Sequence, residues 1–87
     1  MVIVERATAE KLEALGAASW PIWTCPESEF DWHYNEPETC HILEGEVEVA
    51  WKGGSVRFGA GDLVTFPEGL SCRWKVSKAV RKHYRFG

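Results

Sequence analysis

The chain has 87 residues, with 10 Lys and Arg against 13 Asp and Glu, a formal charge of −3, which fits one domain and gives no sign of a polyanionic partner. Five Trp, four Phe and two Tyr supply large apolar side chains, needed because so short a chain buries only about 60–65% of its unfolded surface. No run of 18 apolar residues occurs, so no helical membrane span is expected, and three cysteines without a zinc spacing read as free thiols in a reducing, cytoplasmic setting.

In chain order, residues 1–6 alternate weakly and suit a strand added to a sheet edge. Thr8 is placed as an N-cap, with Glu10 in the first turn and Gly16 just past the end, so a short helix is expected over residues 9–15. Everything after it reads as strands and turns. Ser19 to Thr24 surrounds Pro21 with Trp20, Ile22 and Trp23, an irregular or edge strand. Phe30 to Tyr34 is an aromatic strand, turned by Asn35-Glu36-Pro37. Glu38 to Leu43 is a strand closed by Gly45. Glu46 to Trp51 alternates strictly, the mark of a half-buried strand. Gly53-Gly54 is a hairpin turn and Ser55 to Phe58 the return strand. A turn over Gly59 to Asp62 leads to strand Leu63–Phe66, and Pro67-Glu68-Gly69 turns again, with Gly69 expected at positive φ. Cys72–Val76 and Val80–Phe86 are the last two strands, joined at Ser77-Lys78-Ala79. Short strands at near-regular spacing predict a sandwich or barrel rather than a parallel α/β sheet.

Alternation along these strands selects one face from each. If the apolar-rich faces all point inward, the interior holds Trp32, Tyr34, Glu38, Cys40, Cys72, Trp74, Lys82 and Tyr84. That is an aromatic cup with one carboxylate, one amine and two thiols. Buried alone, Glu38 and Lys82 would each be costly, so they are expected to meet, or to share a bound ligand. Lys82 reads either as the ion-pair partner of Glu38 or as a desolvated amine for acid–base or imine chemistry. Cys72 reads as a small apolar core side chain, or as a soft metal ligand or nucleophile in the cup. His33, His41 and His83 fall on the opposite face. Eight acidic residues and no Lys or Arg lie between Glu27 and Glu48, and six basic residues and no acid lie between Arg73 and Arg85. Such blocks pair across strands and leave no free phosphate-binding patch, so no nucleic-acid partner is expected.

Two segments resemble the signatures of the cupin superfamily. Glu38 and Gly45 keep the six-residue gap of the first, and Gly61, Pro67 and Gly69 match the second. The likeness covers about residues 28–87, with its signatures near 30–45 and 61–76. More narrowly, Phe30-Asp31-Trp32, Glu38-Thr39-Cys40, Leu43-Glu44-Gly45, Pro67-Glu68-Gly69, Trp74 and Arg81-Lys82-His83-Tyr84 resemble the small single-domain cupins. Those are similar to the ethanolamine-utilisation and ureidoglycine-processing proteins, formerly a domain of unknown function. The resemblance implies an all-β, RmlC-like jelly-roll β-barrel over residues 1–87, here with a short N-terminal helix. At the slots where metal-dependent cupins carry histidine, this chain has Trp32 and Tyr34 with a three-residue gap before Glu38, or Asp31 and His33 with a four-residue gap, and Cys72 in the second signature.

One barrel hosts many chemistries, so function rests on the cup. The reading is a cytoplasmic small-molecule-binding protein with no metal and no cofactor, taking a polar or carboxylated metabolite, and homodimeric as small scaffolds often are. Glu38 and Lys82 are the candidate catalytic residues, and Trp32, Tyr34, Cys72, Trp74 and Tyr84 the candidate ligand contacts. The alternatives are a metal-independent isomerase, lyase or hydrolase using Glu38 and Lys82, and a metal enzyme with unusual ligands.

Overall fold

The computed structural model describes residues 1–87. It contains seven antiparallel strands: β1 (Ile3–Arg6), β2 (Ile22–Cys25), β3 (Ser28–His33), β4 (Glu38–Trp51), β5 (Gly54–Gly59), β6 (Asp62–Phe66) and β7 (Ser71–Phe86). One helix, α1 (Ala9–Leu15), and a 3-10 turn at Ala17–Ser19 complete it. The helix begins and ends where its caps require. The Thr8 hydroxyl accepts from the Lys11 amide, and Gly16 stops the helix at φ 68°. No helix is long and apolar enough to cross a membrane.

Two long strands form the spine. β4 and β7 pair along almost their whole length, from Glu38 opposite Phe86 to Ala50 opposite Arg73, with register shifts between Ile42 and Val47. These irregularities bend the pair. On one side of the bend the order is β5-β4-β7-β3; on the other it is β1-β6-β4-β7-β2. The halves face each other, because rings from both meet in one core: Phe58 and Phe66 lie 6.0 Å apart, Phe66 and Trp74 5.6 Å, Trp23 and Trp74 6.1 Å. Inward residues alternate along both spine strands, with Cys40, Ile42, Val47 and Val49 from β4 and Cys72, Trp74, Val76, Val80 and Lys82 from β7 all buried. On the outer face Ala17, Trp20 and Leu63 are also buried, outside the central cluster.

Several expectations need correction. The strand path runs from β1 to β2 without closing on itself, so the sheet is curled, not a closed hydrogen-bonded barrel. The two strands expected on either side of Gly45 are one, and so are the two on either side of Ser77–Ala79. At Gly45 the backbone has φ 106°, and a Cβ there would lie 2.5 Å from the Ala79 carbonyl oxygen. The glycine therefore lets β4 cross β7 at close range instead of ending the strand. Ser77-Lys78-Ala79 stays extended because β4 supplies partners: the Ser77 hydroxyl donates to the Glu46 carbonyl and Lys78 pairs with the Glu46 carboxylate at 2.6 Å. The hairpin is one residue earlier than expected, with Trp51 opposite Gly54. Gly69 has φ 87°, as its turn requires.

The charge blocks meet across strands. Arg73 donates to Glu29 and Asp31 at 3.0 and 2.9 Å, Lys75 stands opposite Glu48, and Arg81 opposite Glu44. The basic stretch of β7 thus faces the acidic stretch of β3 and β4.

Candidate functional site

Between the two halves lies a cavity of about 210 Å³. Its polar floor is built by three side chains, two placed by strand phase and the third, Tyr34, just beyond β3, which ends at His33 and not at Tyr34 as expected. Glu38 opens β4 facing inward, Lys82 faces inward from β7, and Tyr34 sits in the β3–β4 connection, tied by backbone bonds to Leu70 and Gly69. Lys82 Nζ donates to Glu38 Oε2 at 2.7 Å, and the Tyr34 hydroxyl donates to Glu38 Oε1 at 2.8 Å. All three are almost fully buried, with exposures of 5% for Lys82, 2% for Glu38 and 1% for Tyr34. Isolated charges are not tolerated at such depth. Each here has a charge-assisted partner, and the ammonium also lies over the rings of Trp74 and Trp23, 4.6 and 4.9 Å from their centroids.

The walls are aromatic. Trp23, Phe30, Trp32, Trp74, Tyr84 and Phe86 line the space above the floor. Phe30 stacks on Trp74 with 13° between planes, and Tyr34 stacks on Phe66 at 4.8 Å. These contacts hold the rings in place. Trp32 and Phe86 form the rim, 46% and 41% exposed.

Of the residues singled out in the sequence, Glu38, Lys82, Trp32, Tyr34, Trp74 and Tyr84 all border this one cavity. Trp32 stands at the mouth, not in the interior. Cys72 is buried opposite Trp32 on β7 but does not line the cavity, and neither does Cys40. Trp23, Phe30 and Phe86 do line it and were not among the expected contacts. Phe30 and Phe86 share the strand phase of Trp32 and Tyr84, which was the available signal. Trp23 lies beside Pro21 on a four-residue edge strand, too short for its alternation to show.

Burial sets the chemistry of the neutral groups. It holds the Tyr34 phenol far above its ordinary range, with the Glu38 carboxylate adding to the effect, so the hydroxyl stays a donor. Burial likewise pushes the Cys40 thiol up to about 12 and raises Cys72. The Trp74 indole N–H lies beside Cys72 and eases that shift. Its geometry falls short of a hydrogen bond, which leaves it buried without a partner. On the outer face His33 contacts the Ser71 hydroxyl at 2.7 Å, and His83 donates from Nδ1 to the Trp20 carbonyl at 2.8 Å. His41 stands opposite His83, and burial with that neighbour lowers its pKa.

The sequence profile of the EutQ-like cupin domain matches residues 12–84. The chain belongs to the EutQ-like cupin family. A DUF861 family protein from Thermotoga maritima is 53% identical over 100% of both chains, with a TM-score of 0.96. A putative ethanolamine utilization protein Q from Salmonella typhimurium is 25% identical over 98% of this chain and 68% of that one, with a TM-score of 0.69. The EutQ protein of Clostridium difficile, 22% identical over 98% of this chain and 66% of that one, shares the fold at a TM-score of 0.71. No curated protein matches the chain.

Many cupins hold a metal, and the donors of this chain do not fit one. No three His, Cys, Asp or Glu side chains converge anywhere. In the cavity both oxygens of the one carboxylate are engaged, and an ammonium stands 2.7 Å from it, where a metal cation would have to bind. Tyrosine, tryptophan and an off-wall cysteine at the signature slots supply no imidazole, and His33, the slot under a four-residue gap, lies outside the cavity against Ser71. What the arrangement does offer is an aromatic slot over a neutralised, hydrogen-bonding floor.

Proposed function

We propose that this cupin domain is a metal-independent receptor for a small polar or carboxylated metabolite, bound in the aromatic cavity above Glu38 and Lys82. The observation that carries the reading is the buried Lys82–Glu38–Tyr34 network at the cavity floor. A purely structural ion pair gains little over well-packed apolar residues, whereas convergent polar groups at the base of an apolar pocket orient a guest. Trp32, Tyr34, Trp74 and Tyr84 are the proposed contacts, with Trp23 as a further wall. Cys72 is left as a core residue. We take the curled sheet to be an open form of the superfamily's jelly roll, and the protein to act as a cytoplasmic homodimer without nucleic-acid or membrane partners.

The hydrogen-bonded chain of three titratable groups favours a second reading, a metal-independent isomerase, lyase or hydrolase. Glu38 and Lys82 would then exchange a proton with a bound substrate. One experiment addresses both. Protein purified without denaturant is extracted and the released small molecules are identified by mass spectrometry, for the wild type and for Trp74→Ala. Retention of one compound by the wild type alone supports a receptor; its conversion on re-addition supports the enzyme. Equal, featureless extracts from both proteins, with no binding on re-addition, count against each.

A further inference from the structure

We infer that the cavity selects one-ring ligands of zero net charge, and that a carboxylated ligand enters it with uptake of one proton. This rests on the binding reading above and adds the charge and size of the guest. Size follows from volume. About 210 Å³ lies below the ~300 Å³ at which ordinary ligand pockets begin, and the lining is almost wholly aromatic, a surface suited to a single ring.

Charge follows from how the floor is paired. Glu38 and Lys82 are the only Asp, Glu, Lys or Arg among the lining residues, and they neutralise each other at 2.7 Å. Neither is free. The ammonium is spent on the carboxylate and on two indole faces, and the carboxylate on the ammonium and the Tyr34 hydroxyl. A bound anion would meet Lys82 only beside the Glu38 carboxylate, and a bound cation would meet Glu38 only beside the Lys82 ammonium. At side chains as deeply buried as these, either arrangement leaves one charge uncompensated. A neutral guest leaves none, and still finds spare lone pairs and N–H groups on the pair. A carboxylic acid satisfies the same condition if a proton accompanies it.

The test uses three probes of one shape: benzamide, benzoate and benzylammonium, titrated calorimetrically at pH 7. The wild type is expected to bind benzamide roughly tenfold or more tightly than either ion. Glu38→Gln leaves the ammonium alone and should shift the preference to benzoate; Lys82→Met leaves the carboxylate and should shift it to benzylammonium. Benzoate binding to the wild type, repeated in buffers of different ionisation enthalpy, should take up about one proton per ligand; this readout stands even where a single variant fails to fold. A wild type that prefers either ion, single variants with unchanged preference, or benzoate binding without proton uptake would each overturn the inference while leaving a binding site in place. Failure of all three probes to bind any variant would remove the binding reading itself.

Discussion

Replacing Lys82 by Met removes the ammonium 2.7 Å from Glu38 Oε2 and leaves a carboxylate that is 2% exposed. Only the Tyr34 hydroxyl then solvates it. Breaking one side of a buried pair costs about 3–5 kcal/mol, out of a total stability of ~4–13 kcal/mol for a chain of this length. At 4–8 °C per kcal/mol, the midpoint should fall by about 12–40 °C. Glu38→Gln strands the ammonium in the same way, softened by the two indole faces. The double variant strands neither charge. Its loss should be about 2 kcal/mol or less, because an apolar or neutral replacement of similar volume is nearly as stable as the pair. Two single losses of at least ~3 kcal/mol against a double loss of ~2 kcal/mol give a coupling of roughly 4 kcal/mol or more. Urea unfolding followed by Trp fluorescence, with m-values checked for constancy, measures all four corners of the cycle. Losses that simply add, with a coupling below ~0.5 kcal/mol, would refute the reasoning. The two groups would then not share an environment, and the cavity floor would have to be redrawn.

Chelator treatment should leave the thermal midpoint unchanged; a drop above ~5 °C, equivalent to about 1 kcal/mol, would reveal a structural metal. Stability should decline in alkali. The buried Cys40 thiol keeps its proton in the fold until about 12, but loses it near 9 when unfolded. Above pH 9 the unfolded chain therefore binds fewer protons, and stability falls as pH rises, by roughly 1 kcal/mol per pH unit. Tyr34 and Cys72 act in the same direction, and Cys40→Ala should flatten the slope measured between pH 8 and 10.5. Gly45→Ala should cost more than ~3 kcal/mol, since its Cβ would meet backbone at 2.5 Å, whereas Gly69→Ala, with positive φ but nothing within 4 Å, should cost only ~1–2 kcal/mol. Equal losses in chemical denaturation would show that the β4–β7 crossing is not as close as described.

Period-two alternation was enough to bring Glu38, Lys82 and Trp74 to one interior, because a strand offers only two faces and one of each was clearly apolar; Tyr34 lies just past the end of β3 and is turned inward by its backbone bonds to Leu70 and Gly69. The helix was legible to the residue, since Thr8 and Gly16 are local signals that need no tertiary partner. Strand continuity was not. Gly45 carries the composition of a stop, and only the approach of Ala79 and Val80 from a strand more than thirty residues away explains its role. Closure was misjudged for a similar reason: which edges pair depends on the bend at Ile42–Val47, set by two strands together. Alternation also says inward without saying how deep. Cys72 and Trp32 share the correct phase and a register pair, yet one ends in the core beyond the cavity and the other on its rim.

The central claim, a guest held in the aromatic cavity without metal, is tested most directly by the five tryptophan indole N–H signals of chelator-treated, ¹⁵N-labelled protein during titration with benzamide. Trp23, Trp32 and Trp74 line the cavity, and Trp20 and Trp51 do not. The account predicts saturable shifts of the first three, with the other two unmoved. Shifts confined to Trp20 or Trp51, or binding that appears only when a divalent metal is restored, would contradict it.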